Sequence, residues 1–248
     1  MSEKPDRIAK WLAHAGVASR RDCENMIAEK RIRLNGILVE HPATFVQDGD
    51  HVEVDGTTIS PPTRIRLWRY HKPTGLVTTH KDPQGRSTVF ESLPEALPRV
   101  VSVGRLDITS EGLLLLTNNG ALSRFLELPS TQWNRRYRVR VYGRVVQEKL
   151  ARLKNGIEVN GVQYGPIEAT LDSQKGDNAW LTVSLHEGKN REIRKVLEHY
   201  DLTVNRLIRI SYGPFQLGQL TKGSLQEIPT KVLREQIPTF FQPQSQSR

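Results

Sequence analysis

The sequence predicts an α+β fold in two parts: a small N-terminal module, then a larger strand-rich domain with a few helices. Three observations lead there. Apolar runs and helix-spaced apolar residues mix along the chain without the regular alternation of a doubly wound sheet. No self-similar period suggests repeats. Ser60-Pro61-Pro62, within the stretch 56–63, cannot continue a sheet and stiffens the chain, so the boundary belongs there. Residues 1–60 are then a module plus linker, 61–235 the larger domain, and 236–248, which lose all periodicity, a disordered tail.

In the first part, Ile8, Trp11, Leu12 and Ala15 recur at helical spacing, and Gly16 stops the helix. Ser19 offers an N-cap for a second helix reaching about residue 29, with Asp22 three residues on. Residues 32–34 and 37–39 flank Asn35-Gly36, and residues 51–54 lead into Asp55-Gly56, so these read as small strands with tight turns. In the second part, residues 66–71, 100–103, 113–116, 137–141, 180–185 and 206–210 read as strands. Residues 121–126, 146–153 and 193–200 read as helices.

The chain has 248 residues, enough for a substantial core, and a formal net charge of +9. Residues 1–60 hold 8 Lys and Arg against 10 Asp and Glu, so the positive field belongs to the second part. Such a field favours a polyanionic partner, nucleic acid above all. Cys23 is the single cysteine, which excludes an internal disulfide, and its helical context marks it as a packing residue. No apolar run approaches a membrane span and the first residues are too polar for a secretory signal, so a cytoplasmic chain without a membrane partner is expected. The 7 histidines are scattered, no Gly-x-Gly-x-x-Gly follows a strand, and Walker and Gly-x-Ser-x-Gly patterns are absent. An enzyme with this sequence is expected to use no metal and no cofactor.

The segment 104–120, Gly-Arg-Leu-Asp-Ile-Thr-Ser-Glu-Gly-Leu-Leu-Leu-Leu-Thr-Asn-Asn-Gly, is the most informative. Its leucines suit a strand buried on both faces. Asp107 then lies on the connection between two core strands, where a rigid scaffold can hold a reactive side chain in a cleft. For an aspartate taken alone, a turn or cap is the default role.

Residues 5–55 resemble an S4-type RNA-binding module, through Arg7-Ile8-Ala9-Lys10-Trp11-Leu12, Ala18-Ser19-Arg20-Arg21 and Arg31-Ile32-Arg33-Leu34-Asn35-Gly36. The resemblance implies that Arg7, Lys10, Arg20, Arg21, Lys30 and Arg33 meet RNA phosphates; by the residues alone they are a solvated charged face. Together with Asn134-Arg135-Arg136-Tyr137-Arg138-Val139, Glu187-Gly188-Lys189-Asn190-Arg191-Glu192-Ile193-Arg194 and Asn205-Arg206-Leu207-Ile208-Arg209, nearly the whole chain is similar to the bacterial ribosomal RNA pseudouridine synthases of the small-subunit-type branch. That implies a mixed, mainly antiparallel catalytic sheet with flanking helices. It departs from the pattern at Asn119, where an aspartate is more usual; a turn or helix cap there is served equally by Asn.

The reaction implied converts uridine to pseudouridine: the bond from ribose C1′ to uracil N1 breaks, the base turns, and C1′ joins C5. By match to the motifs, Asp107 is the reactive carboxylate, acting as nucleophile or base. Arg194 pairs with it and keeps it ionised against desolvation. Tyr137 stacks on the target uracil, a contact worth roughly 1–3 kcal/mol, and Leu207 closes the pocket. Arg105 enters the space of the flipped base or grips a flanking phosphate, and Lys189, Arg191, Lys195 and Arg209 serve the RNA backbone. The implied partner is ribosomal RNA, 23S ahead of 16S from the likeness of residues 191–197 and 204–213 to large-subunit members, within a ribosome assembly intermediate. No heptad pattern calls for an obligate second subunit, so a monomer is expected. The alternative is a non-catalytic S4-type RNA-binding or assembly factor; a methyltransferase is disfavoured by the missing glycine-rich loop.

Overall fold

A computed structural model of the chain describes residues 5–242, which fall into two compact units. The first comprises residues up to 66 together with 95–101 and 118–120. It opens with β1 (Asp6–Arg7), α1 (Ile8–His14) and α2 (Arg20–Ala28). Ser19 caps α2 as its spacing predicts, its Oγ accepting the Asp22 N–H at 3.1 Å. Short strands follow: β2 (Ile32–Leu34), β3 (Ile37–Leu38), β4 (Phe45–Val46), β5 (Val52–Val54) and β6 (Thr57–Thr58). They pair in the order β3-β2-β5-β6, with β1 against β4. Asn35-Gly36 and Asp55-Gly56 all take positive φ, the backbone of a type I′ hairpin turn. Ile8, Leu12, Cys23, Ile27, Ile32 and Val52 form the core, with the Cys23 thiol pushed up by burial. The linker ends later than its prolines suggested, because Asn118 holds it: its Nδ2 donates to Arg64 O at 2.9 Å and its Oδ1 accepts Arg66 N–H at 2.8 Å. Asn119 lies 3.1 Å from the His14 ring nitrogen.

The second unit is built on β7 (Leu67–Lys72), β8 (Val101–Val103), β9 (Glu111–Thr117), β10 (Arg135–Tyr142), β11 (Ile157–Val159), β12 (Val162–Tyr164), β13 (Ile167–Lys175), β14 (Asn178–Leu185), β15 (Thr203–Tyr212), β16 (Phe215–Gln216) and β17 (Leu225–Glu227). Its helices are α3 (Gly120–Glu127), α4 (Gln147–Ala151), α5 (Glu192–Glu198), α6 (Thr230–Gln236) and α7 (Pro238–Phe241). The main sheet runs β13-β14-β10-β15-β9-β7-β17, antiparallel except where β15 lies parallel to β9. All seven residues of β9 are buried, as its leucine run predicts. The expected disordered tail is corrected over residues 236–242, where Leu233 and Ile237 bury and α6 and α7 form; residues 243–248 lie outside the described ones.

Side-chain alternation gives the sheet two faces. Ladder partners Tyr137, Arg209 and Gly112 share one face with Leu207 and Lys72. Arg136, Arg138 and Arg140 point to the other.

Candidate active site

Asp107 sits half-buried on the connection from β8 to β9, and the carbonyls of residues 106–110 are all hydrogen-bonded. Leu106 O accepts the Thr78 hydroxyl at 2.9 Å. Asp107 O accepts Ser110 N–H at 3.0 Å and Lys72 Nζ at 3.2 Å. Ile108 O accepts Gly75 N–H at 2.7 Å, and Thr109 O accepts the Arg194 guanidinium at 3.1 Å. Ser110 O accepts Lys72 Nζ at 2.9 Å. With the five carbonyls around it bound, the carboxylate is presented from a rigid base.

Two of these clamps are cations. Lys72 is fully buried and donates to three carbonyls, those of Asp107, Ser110 and Pro73. Burial pushes its pKa down to about 8, opposed by the charges of Asp107 and Glu111. Arg194, on α5, donates to Val204 O at 2.9 Å as well as to Thr109 O. Burial lowers its pKa first and the nearby Arg191 second, while Asp107 raises it. The expected Asp107–Arg194 partnership is therefore one of proximity: the guanidinium ties the Thr109 carbonyl of the loop to the Val204 carbonyl of β15, and its charge acts across space. Carbonyls carry no net charge, so both cations keep theirs for the carboxylate.

At the head of β9, Glu111 is buried between Arg206, whose Nε meets Oε1, and Lys222, 2.6 Å from Oε2. Burial raises its pKa, but the two cations outweigh this and hold it below the ordinary value. One residue on, Gly112 has φ +103°, and a Cβ there would lie 2.4 Å from Arg209 O. Only glycine lets β9 and β15 close together beside the loop.

Tyr137 and Leu207 are nearly buried on the face that carries Lys72, on adjacent strands one ladder step apart. Arg105 is exposed beside Asp107, and Arg191 is exposed at the left-handed start of α5 with φ +52°. Two expectations change. Arg209 is 3 % exposed, with its Nε donating to Leu113 O at 2.7 Å and its guanidinium over the Tyr212 ring, so it braces the sheet instead of reaching an RNA backbone. Lys189 is exposed but already answered by Glu187 at 2.8 Å, which raises its pKa. In the first unit the six residues expected to meet phosphates are all exposed; Lys10 pairs with Asp6 and Arg20 with Glu24, while Arg33 donates to Gly36 O.

Sequence reasoning missed Lys72, Glu111 and Gly112. Lys72 carried a signal: in Leu67-Trp68-Arg69-Tyr70-His71-Lys72 it falls in phase with the inward Trp68 and Tyr70. Among the described residues no cluster of three or more His, Cys, Asp or Glu could hold a metal ion, and no helix is long and apolar enough to cross a membrane.

Residues 66–199 match the family model of RNA pseudouridylate synthase, and residues 6–52 match that of the S4 domain. An uncharacterized RNA pseudouridine synthase of Rickettsia felis is 48% identical over 92% of this chain and 99% of its own length. A protein of Vibrio vulnificus named ribosomal large subunit pseudouridine synthase B is 37% identical over 91% of this chain and 72% of its own. A crystal structure of a pseudouridylate synthase shares the fold, with a TM-score of 0.64 at 21% identity over 93% of this chain and 99% of that one. With the aspartate loop and the extent of these matches together, the chain belongs to the RNA pseudouridine synthases.

Proposed function

We propose that the chain isomerises a uridine of large-subunit ribosomal RNA, with Asp107 as its reactive carboxylate. The observation that carries the reading is the connection 106–110, whose carbonyls are all bound and whose two cationic clamps leave their charge to Asp107. Isomerisation at C1′ develops charge beside the sugar, and a rigidly held carboxylate with fixed cations beside it suits that step. The C1′–N1 bond breaks, the base turns, C1′–C5 forms, and the proton lost from C5 is balanced by one gained at N1. Tyr137 and Leu207 hold the uracil between ring and aliphatic surface. Arg105 occupies the position of the displaced base or grips the neighbouring phosphate. The basic face of the first unit delivers the RNA as a folded element within an assembly intermediate, and the enzyme acts as a monomer.

The choice of large-subunit RNA is supported by the relatives named ribosomal large subunit pseudouridine synthase B, including one of Haemophilus influenzae at 39% identity over 90% of this chain and 64% of its own length. The test is pseudouridine mapping on unmodified 23S and 16S transcripts, with wild type and Asp107→Asn. Product in 23S from wild type alone, with RNA binding retained in the variant, is expected. Equal product from Asp107→Asn removes the carboxylate from the chemistry; product confined to 16S overturns the choice of subunit.

A further inference from the structure

We propose a second RNA contact on the opposite face of the catalytic sheet, where Arg136, Arg138 and Arg140 of β10 bind the phosphate backbone of the same ribosomal RNA outside the segment in the cleft. This rests on the function proposed above. On β10 the burial alternates: Tyr137, Val139 and Val141 turn inward while the three arginines are exposed. Each is roughly 7 Å from the next along the strand, close to the spacing of successive phosphates. Arg140 stands directly opposite Arg206 of β15, itself held by Glu111, on one side and Trp180 of β14 on the other. Arg138 lies 5.0 Å over the half-buried Trp180 ring, which leaves an aromatic surface beside the charges.

A sheet face kept open for solubility alone mixes its charges, since like charges opposite one another destabilise the ladder. On this face the acids are engaged elsewhere or stand at the edge: Glu111 is taken up by Arg206 and Lys222, Asp172 accepts the Thr182 hydroxyl at 2.9 Å, and Glu168 lies in register with Arg136 two strands away on β13. Three arginines on β10 thus face solvent with no carboxylate partner among the described residues; Arg140 donates to Asn178 Oδ1 at 3.2 Å. An evenly spaced positive row with an adjacent ring suits a polyanionic backbone carrying stackable bases. It sits on the same strand as Tyr137, so one element would touch the RNA on both sides of the sheet.

The test compares wild type with the triple variant Arg136→Gln, Arg138→Gln, Arg140→Gln on two probes, a full-length unmodified 23S transcript and a short hairpin cut around the uridine that wild type modifies. Affinity for the long transcript should fall about tenfold or more, and the slope of log K against log salt should flatten by about two to three units. Turnover on the hairpin should stay within about twofold, and thermal stability should hold or rise as the repulsion is removed. Unchanged affinity for the long transcript overturns the proposal. So does an equal loss on both probes, which would mean that the row acts through the cleft. Should the variant fold poorly, ultraviolet cross-linking of wild type to a 4-thiouridine-substituted transcript decides: cross-links at residues 136–140 or Trp180 support the contact, and cross-links elsewhere only reject it. Binding and cross-linking need no product, so failure of the isomerase reading itself shows separately, as absence of pseudouridine from every ribosomal RNA.

Discussion

Lys72 is the residue on which the electrostatics of the catalytic loop turn. Burial costs its charged form, which is why its pKa lies at about 8 instead of 10.5, with Asp107 and Glu111 holding it from falling further. Above that pH the folded protein loses a cation beside the carboxylate. Turnover should therefore decline as pH rises through about 8, measured as kcat against pH with saturating RNA. Stability moves the other way. Between pH 8 and 10.5 the unfolded chain binds more protons at this site than the folded one, so this contribution rises with pH and is lost as pH falls through 8. Denaturant melts across the same range separate the two effects; turnover that stays level to pH 9.5 would remove Lys72 from the account. The sequence exposed part of this site. Asp107 is legible through its motif between two apolar runs, whereas two of the three carbonyls that hold Lys72 come from a loop more than thirty residues downstream. Arg209 was misplaced by motif matching, although period two along β15 puts it on the inward face with Leu207.

At the scale of elements, the junction of β9 and β15 is the tightest seam near the site. Gly112→Ala forces a side chain into a left-handed backbone and against Arg209 O, and should destabilise by about 3 kcal/mol, a fall in Tm of roughly 6–12 °C. A melt within about 1 °C of wild type would show that the seam can relax. Ser19→Ala, which strips only the cap of α2, should cost about 1 kcal/mol. The elements most legible in the sequence were those with a strong local pattern: α1, the capped α2, the two Gly turns and β9. The β11–β12 hairpin was missed because its strands are three residues each, and β13 because its second half, Asp172-Ser173-Gln174-Lys175, is polar on both faces at a sheet edge.

Across the whole molecule, charge divides labour between the units. The first is balanced in composition, eleven Lys and Arg against eleven Asp and Glu, yet presents Arg7 and Arg21, both exposed and with no carboxylate partner among the described residues, on the module that resembles an RNA binder. Replacing Arg7 and Arg21 together by Ala should weaken RNA binding and flatten its salt slope by about two units, with kcat at saturating RNA unchanged. The same change at Lys10 and Arg20, which already serve Asp6 and Glu24, should do less; filter binding over a salt series distinguishes them. The order of strands adds a consequence for synthesis. β15 is central in the sheet, between β9 and β10, yet it is made after both, and Arg194 and Val204 leave the ribosome long after Asp107. A nascent chain thus carries its aspartate while the strand and cation that set it in place are still missing. The clamp of Arg194 on Thr109 O and Val204 O is therefore complete only once β15 has taken its place between β9 and β10.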